Sequence, residues 1–458
     1  SLAYDNVSPP PGVASLGAGI YCRASYPTIV SNVIQDNEIL NDFDRSGGAI
    51  YCTVGSAPLI GNNVIRRNHA KFGAAVYALH SSPRIFNNQI ENNSFYNTYP
   101  LPLYLGSAQG ALSLVQSTNF HIEGNLLRGH QASSGAAIYA AAVSDGLICN
   151  NLILENQATE PTGIGGLGGA IYCSVLAADP RPVFIAHNTL VSNVASNFFG
   201  ENGGGIAFVL PFATNRLVIA NNILVSNSSG IYQVASTPIA PPILTHNNLL
   251  NVRSNYINLE PGNTDLSVAP GFVGNGDWRL VATSACVDAG TSQFSVRTDY
   301  DGMPRPLDGN KDGLTAPDLG AFETMDPLAD SDGDGMPDGW ELATALDPTR
   351  DDAEADVDQD DASNAHEYLA GTDPRDPASR LAVSVQRDPA TGELRLAWFG
   401  VAQRLYTLEY SGSIPGPRTW PTLALDLPGN DAPLEWIDSA PPDSPRFYRV
   451  RATMAPSD

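Results

Sequence analysis

The sequence predicts an all-β chain: a parallel solenoid of about eight coils, then an acidic loop segment, then a small antiparallel β-sandwich. Three observations predict it. A short Gly-Ala-Ile-Tyr phrase returns along the first half, and a second phrase, Asn–apolar–Asn, lies between its copies. The remainder turns first to dense aspartate and then to short runs that alternate polar and apolar residues. Self-similarity at a period of about 20–50 residues means stacked repeats, each unable to bury its apolar face alone.

The clearest copies are Gly17-Ala-Gly-Ile-Tyr-Cys22, Gly47-Gly-Ala-Ile-Tyr-Cys52, Gly135-Ala-Ala-Ile-Tyr-Ala140 and Gly168-Gly-Ala-Ile-Tyr-Cys173. Ile20 to Ile50 is 30 residues, Ile50 to Val76 is 26, Ile138 to Ile171 is 33 and Ile171 to Ile206 is 35. Val76 to Ile138 is 62, room for two coils, with Ala111-Leu-Ser-Leu114 as the degenerate copy between them. No apolar period near 3.6 runs through these coils, so each is expected to hold three short strands and three turns. One strand is Ala-Ile-Tyr, one follows the Asn, and one precedes it (Pro58-Leu-Ile60, Pro83-Arg-Ile-Phe86, Pro182-Val-Phe-Ile185, Leu217-Val-Ile219). Coils stacked about 4.8 Å apart give eight coils a length of about 40 Å. Asn at a fixed turn position is expected to form a ladder and to tolerate the αL backbone. The paired glycines supply positive φ where no Cβ fits, and the crossover rule makes the coil right-handed.

This pattern resembles the right-handed parallel β-helix repeat proteins, an architecture shared by pectate-lyase-like enzymes, tailspikes and many secreted surface proteins. The resemblance covers about residues 13–324. It implies the fold; because that fold hosts lyases, hydrolases and non-catalytic proteins alike, it implies no single activity.

Charged residues make up only 16% of the chain, with 42 Gly and 35 Pro, which suits turn-rich β structure. The net charge is −24. From Asp326 to Asp376 there are 17 acidic residues against Arg350 and Arg375, so −15 of that charge sits in one segment. Such a polyanion excludes nucleic acid and anionic membrane as partners and favours cations. No stretch approaches the roughly 18 apolar residues of a membrane span. The chain opens on Ser1 with its first coil close behind, which leads us to expect a leader removed upstream and a secreted, extracellular or cell-surface location. Cys22 and Cys52 fall at one position of adjacent coils, within disulfide range if both point the same way; a buried thiol ladder is the alternative.

The sharpest chemical signal is Asp330-Ser-Asp-Gly-Asp-Gly-Met-Pro-Asp-Gly-Trp-Glu341. Oxygen donors fall at positions 1, 3, 5, 9 and 12 (Asp330, Asp332, Asp334, Asp338, Glu341), with Gly335 at the sharp turn and the Met336 carbonyl at position 7. That spacing wraps hard oxygens around calcium and closes the sphere with a bidentate Glu. It recurs as Asp356, Asp358, Asp360, the Ala362 carbonyl, Asn364 and Glu367, with Asp361 where Gly is expected. The pair resembles the thrombospondin type 3 and dockerin-like calcium repeats of secreted proteins. A third, incomplete candidate is Asp308, Asn310 and Asp312, in a tail (Ser284–Glu323) that looks like the segment closing many secreted β-helix proteins.

From about Leu381 the runs Leu394–Trp398, Arg404–Tyr410, Thr422–Leu427, Leu434–Ile437 and Arg446–Arg451 alternate at period two, which predicts the sandwich, with Trp398, Trp420 and Trp436 as packing. The expected divisions are therefore 1–12 as an N-terminal tail or cap, 13–324 as solenoid with closing tail, 325–379 as calcium segment and 380–458 as sandwich.

The solenoid shows no aspartate cluster of the kind that serves parallel β-helix pectinases, and Arg66, Arg67 and His69 are isolated as candidate bases. Insertions gather in one turn and carry Phe43, Phe72, Phe95, Tyr96, Tyr99, Tyr104, Phe198 and Phe199, a ridge suited to a glycan or a neighbouring subunit, or else folded down over its own loops. The sequence thus favours a calcium-stabilised extracellular structural or adhesive protein that self-associates head to tail into filaments. The alternative is a polysaccharide-binding protein, or a polysaccharide lyase or glycoside hydrolase, working along the loop edge.

Overall fold

Each Ala-Ile-Tyr copy lies directly on the copy of the next coil. Ile20 pairs with Ile50, Ile50 with Val76, Val76 with Leu112 and Leu112 with Ile138. The series continues through Ile171, Ile206 and Ile231 to Tyr256. The degenerate copy at Ala111–Leu114 is therefore a true coil, its strand running over Leu112–Val115. The computed structural model describes residues 19–38, 46–94, 109–160, 166–175, 181–197, 203–210, 216–234, 241–414, 420–439 and 446–456. Residues Ser1–Asp326 and Pro327–Asp458 form two compact units.

In the first unit three long parallel ladders enclose the core, and a short fourth, through Gln131–Ala132, Gln157–Glu160 and Val194–Asn197, extends the middle coils. The second ladder runs through Leu59–Gly61, Arg84–Phe86, Thr118–Glu123, Val183–Ala186 and Leu217–Ala220. The third holds Val64–Arg66, Gln89–Glu91, Leu126–Arg128 and Leu152–Leu154. Ile138–Cys149 is long enough to serve both the first ladder and the second. Because strand side chains alternate, the middle residue of each short strand points inward. Ile60, Ile85 and Ile122 on the second ladder and Ile65, Ile90 and Leu127 on the third are fully buried in two columns, each side chain stabilising the fold by about 1.5–3 kcal/mol. Outside, Tyr139 stacks on Tyr172 at 5.0 Å, and Tyr51 lies between Tyr21 and Tyr77.

Asparagine builds two ladders. One climbs Asn63, Asn88, Asn125, Asn151, Asn188, Asn222 and Asn247; each Nδ2 donates to the next Oδ1 and to a main-chain carbonyl of the preceding coil. The other climbs Asn68, Asn93, His130, Asn156, Asn193, Asn227 and Asn251. The expectation that the ladder asparagine itself takes αL is corrected. Positive φ falls on the residue before it: Asn62 (53°) before Asn63, Arg67 (52°) before Asn68, Glu155 (57°) before Asn156. The preceding residue turns the chain, which frees the ladder Asn to aim its amide along the stack. The paired glycines divide their labour too. Gly47 has φ +74°, whereas a Cβ on Gly48 would sit 2.4 Å from the Ala74 carbonyl oxygen of the next coil.

All five cysteines are free and buried, with Cys22 opposite Cys52 in the thiol arrangement. After Tyr256 the chain folds back along the outside of the third ladder. There Leu152, Val191, Ile223 and Val225 pack against Val287, Leu319, Ala321 and Phe322 of the tail.

In the second unit two short helices, Asp338–Ala343 and Asn364–Ala370, follow the acidic loops. Two three-stranded antiparallel sheets then share one core of Leu396, Trp398, Tyr406, Leu408 and Ala424. Trp436 packs against that core, and Trp420 lies under the Arg449 guanidinium. Arg404 ties sheet to loop segment by donating to the carbonyls of Tyr368 and Leu369.

Candidate metal centres

The two acidic loops share the turn bonds made at positions 1 and 5. In the first, Asp330 accepts from the N–H groups of Gly333, Asp334 and Gly335 at 2.8, 3.1 and 2.9 Å. In the second, Asp356 accepts from Gln359, Asp360 and Asp361 at 2.7, 3.2 and 3.0 Å. Position 5 then accepts from position 7 in each: Met336 N–H to Asp334, Ala362 N–H to Asp360, both 2.9 Å. Positions 4 and 6 are left-handed in both, as Gly333 and Gly335 in one loop and as Gln359 (64°) and Asp361 (73°) in the other. A short polar side chain tolerates αL, so Asp361 keeps the turn that its neighbour makes with glycine.

These bonds aim the remaining oxygens inward. Carboxylate oxygens of Asp330, Asp332 and Asp334 converge within 4.8 Å, as do those of Asp356, Asp358 and Asp360. Asp332 Oδ2 and both oxygens of Glu341 are buried without a hydrogen-bond partner; so are both oxygens of Asp358, Asn364 Oδ1 and Glu367 Oε2. A buried polar atom left unpaired costs about 1–3 kcal/mol, more when charged. Burial, and then the charges of Asp332 and Asp334, push the Glu341 carboxyl up to about 9. Burial and the facing Asp334 push Asp332 up to about 7, and burial holds Glu367 near 7. The donors are oxygens throughout, which fits a hard divalent cation of the calcium class.

The structure distributes the sequence-derived ligands unevenly. The Met336 side chain is fully buried with Leu346 and Ala353, anchoring its loop, and Ala362 holds the same position 7 in the second. Both oxygens of Asp338 accept from Ser331, at 2.8 and 2.6 Å, so this residue braces its own loop. A further carboxylate, Asp352, converges with Asp334 and Glu341 and also accepts from Asn364 Nδ2 at 2.9 Å. Sequence reasoning missed Asp352, although the Asp351-Asp352 doublet was its signal. The second loop has no such extra carboxylate among the described residues. Instead Arg380 Nε sits 3.0 Å from Asp360 Oδ2.

At the third candidate, Asp308 accepts from the N–H groups of Asp312 and Gly313, Asn310 from Asp312, and Asp312 from Leu314, which reproduces the first half of a calcium loop. Among the described residues no orphaned oxygen and no convergent carboxylate group completes it.

Of the aromatic ridge, Phe43, Phe95, Tyr96, Tyr99, Tyr104, Phe198 and Phe199 lie outside the described residues. Phe72 folds down onto Tyr77, with ring centroids 6.2 Å apart. Arg67 is paired with Asp36 at 2.7 Å, Arg66 donates to Gln35, and His69 Nδ1 lies 3.2 Å from Ser94 Oγ.

On the outer face of the second ladder two adjoining cavities of about 420 and 470 Å³ share Leu59, Arg84 and His121. Glu123, Tyr300 and Asp301 line the first, Asp145 and Phe184 the second.

Against this geometry, a family model described as the right handed beta helix region matches residues 13–270. The chain belongs to the right-handed β-helix family. The matched span ends where the β-helix gives way to its closing tail, so the acidic loops and the antiparallel sheets stand outside it. Comparisons with curated proteins and with solved structures give no match.

Proposed function

We propose that this β-helix protein is a non-catalytic surface scaffold braced by calcium, with one ion in each loop of the second unit. The observation that carries the reading is the set of buried, unpartnered oxygens on Asp332, Glu341, Asp358, Asn364 and Glu367. A calcium ion would satisfy them together and offset their mutual repulsion, and at extracellular concentrations mass action would keep the loops filled and the segment ordered. Self-association would use the first coil. Among the described residues nothing pairs the outer edge of Ile20–Arg23, Thr28–Val30 or Val33–Gln35, and Tyr21, Val30 and Val33 are exposed there. Such an edge accepts a strand from another chain. At the opposite end Asp265 takes the next rung of the first Asn ladder by accepting from Asn247, so growth there would need another surface.

Electron microscopy and calcium titration of the whole chain test this reading. Binding of two calcium ions per chain, with ordered strings or filaments that loosen on chelation, is the expected result. Dispersed monomers in both conditions would remove the assembly, and no calcium uptake would remove the brace. A second reading, glycan binding, draws on the two adjoining cavities, where Arg84, carboxylates and Phe184 share one face. Retention of the chain on an acidic polysaccharide, lost in Arg84→Ala, would favour it.

A further inference from the structure

The second ladder carries a cluster that calcium chemistry does not use. His121 and Glu123 are two apart on the strand Thr118–Glu123, so both side chains leave the same outer face while Ile122 between them fills the core. One coil onward Glu123 is paired in register with Cys149, and Ile122 with the equally buried Ile148, so Cys149 also points outward. The three donor atoms meet. His121 Nε2 lies 3.2 Å from Glu123 Oε2 and 3.7 Å from Cys149 Sγ. All three lie within 4.8 Å of one another.

Two uses of such a trio can be separated by geometry. A thiol nucleophile with a histidine base needs the carboxylate on the far ring nitrogen, where it orients the imidazole. Here thiol and carboxylate converge on the same nitrogen, which defeats that arrangement. Convergence on one point is what a metal requires. With Zn–N and Zn–O near 2.1 Å and Zn–S near 2.3 Å, tetrahedral geometry sets ligand atoms about 3.4 Å (N to O) and about 3.6 Å (N to S) apart. The observed 3.2 and 3.7 Å match within the movement of a side chain. A nitrogen, sulfur and oxygen set selects a borderline cation over calcium.

We propose that His121, Glu123 and Cys149 bind one zinc-class divalent cation at the floor of the groove on the second ladder. Three protein ligands leave a fourth position, and the 420 Å³ cavity lined by Arg84, His121, Glu123, Tyr300 and Asp301 lies over it. Water, or an oxygen of a bound anionic or hydroxyl-bearing ligand, completes the sphere. The tail helps to roof the site: Asn150, next to Cys149, donates through Nδ2 to the Thr298 carbonyl at 2.6 Å, and Thr298 lines the same cavity. Sequence reasoning overlooked the cluster, yet Glu123 and Cys149 are separated by 26 residues, the same step as Leu112 to Ile138.

The test uses the whole chain, stripped of metal and then held in excess calcium so that the acidic loops are filled. Cobalt(II) is titrated in, followed by zinc. One cobalt per chain, with a thiolate-to-cobalt absorption in the near ultraviolet and tetrahedral bands in the visible, all displaced by zinc, is the expected result. Cys149→Ser should abolish the ultraviolet band. His121→Ala, at a partly exposed position, should weaken zinc binding by more than the roughly 10–100-fold that loss of a supporting residue produces, with thermal unfolding in calcium unchanged. Cobalt binding without a thiolate band, or zinc affinity equal to wild type in His121→Ala, overturns the site. Should Cys149→Ser fail to fold, the His121→Ala titration decides alone.

Discussion

Arg305 Nη1 meets Glu323 Oε2 at 3.2 Å with both side chains fully buried, and this pair ties two stretches of the closing tail to each other. Arg305 also donates to the carbonyls of Asp318 and Gly320 and contacts His187 Nδ1 of the coil beneath at 2.6 Å. Glu323 accepts from the main-chain N–H groups of Leu307 and Asp318. Burial pushes the Glu323 carboxyl upward and Arg305 pulls it back. A buried pair of this kind adds little net stability over an apolar replacement, but removing one member strands the other. Arg305→Met and Glu323→Leu should therefore each lower stability by about 3–5 kcal/mol. The double variant should lose clearly less than the sum of the two, because the stranded charge is gone. Denaturant midpoints of the four proteins give the coupling directly, and strict additivity would show that the pair does not act as a unit.

His130 occupies a rung of the second Asn ladder, and it brings an acid sensitivity that asparagine would not. Its Nδ1 accepts from the Asn93 N–H at 3.0 Å, while Nε2 is buried without a partner. Burial lowers its pKa from 6.5 to about 4. The sign follows. Between about 6.5 and about 4 the unfolded chain binds a proton that the folded chain refuses, so stability is full above that window and falls as pH drops through it. A shift of this size corresponds to about 3 kcal/mol. His130→Asn should flatten that part of the stability–pH curve. Equal slopes for both proteins between pH 6.5 and 4 would assign the acid loss elsewhere.

The fold was legible because stacking copies one local solution many times. The Ala-Ile-Tyr spacing gave the register of every coil, including the degenerate one at Leu112, since an in-register parallel ladder allows no slip without turning side chains out of the core. The calcium spacing was legible for the same local reason: Asp330 and Asp356 bond to N–H groups only three to five residues away. What escaped was non-local. Asp352 reaches the first loop from beyond the helix, Arg380 reaches Asp360 from twenty residues on, and Cys149 meets His121 only because the coil returns. The αL assignment failed by one residue because Asn suits both the turn and the ladder, and composition cannot say which of two adjacent positions takes which.

A buried mid-stack asparagine should be far less replaceable than one at the exposed end of the same ladder. Asn151 Oδ1 accepts from both the main-chain and the side-chain N–H of Asn125, and its Nδ2 donates to the Ile122 and Cys149 carbonyls. Asn151→Ala would leave several buried groups unpaired at about 1–3 kcal/mol each. A loss of at least about 3 kcal/mol is expected at this mid-stack rung. The same change at Asn32, whose amide bonds at the exposed first coil, should lose less than about 1 kcal/mol, since water replaces the bonds. Equal losses at the two sites would remove the ladder as the source of stability.

The two acidic loops should differ in affinity, and the difference lies in two residues. Asp352 adds a carboxylate to the first loop, whereas in the second Arg380 sets a cation against Asp360, whose side chain is only 1% exposed. Each carboxylate added raises calcium affinity and each cation lowers it. The first loop should fill before the second in a titration. Because Arg380 is more than half exposed, solvent screening limits its effect, and Arg380→Ala should tighten the second site by about two- to fivefold. Asp352→Asn should weaken the first by about tenfold and draw the two affinities together. A single class of sites in the wild-type chain, unmoved by either substitution, would mean that neither residue addresses the ion.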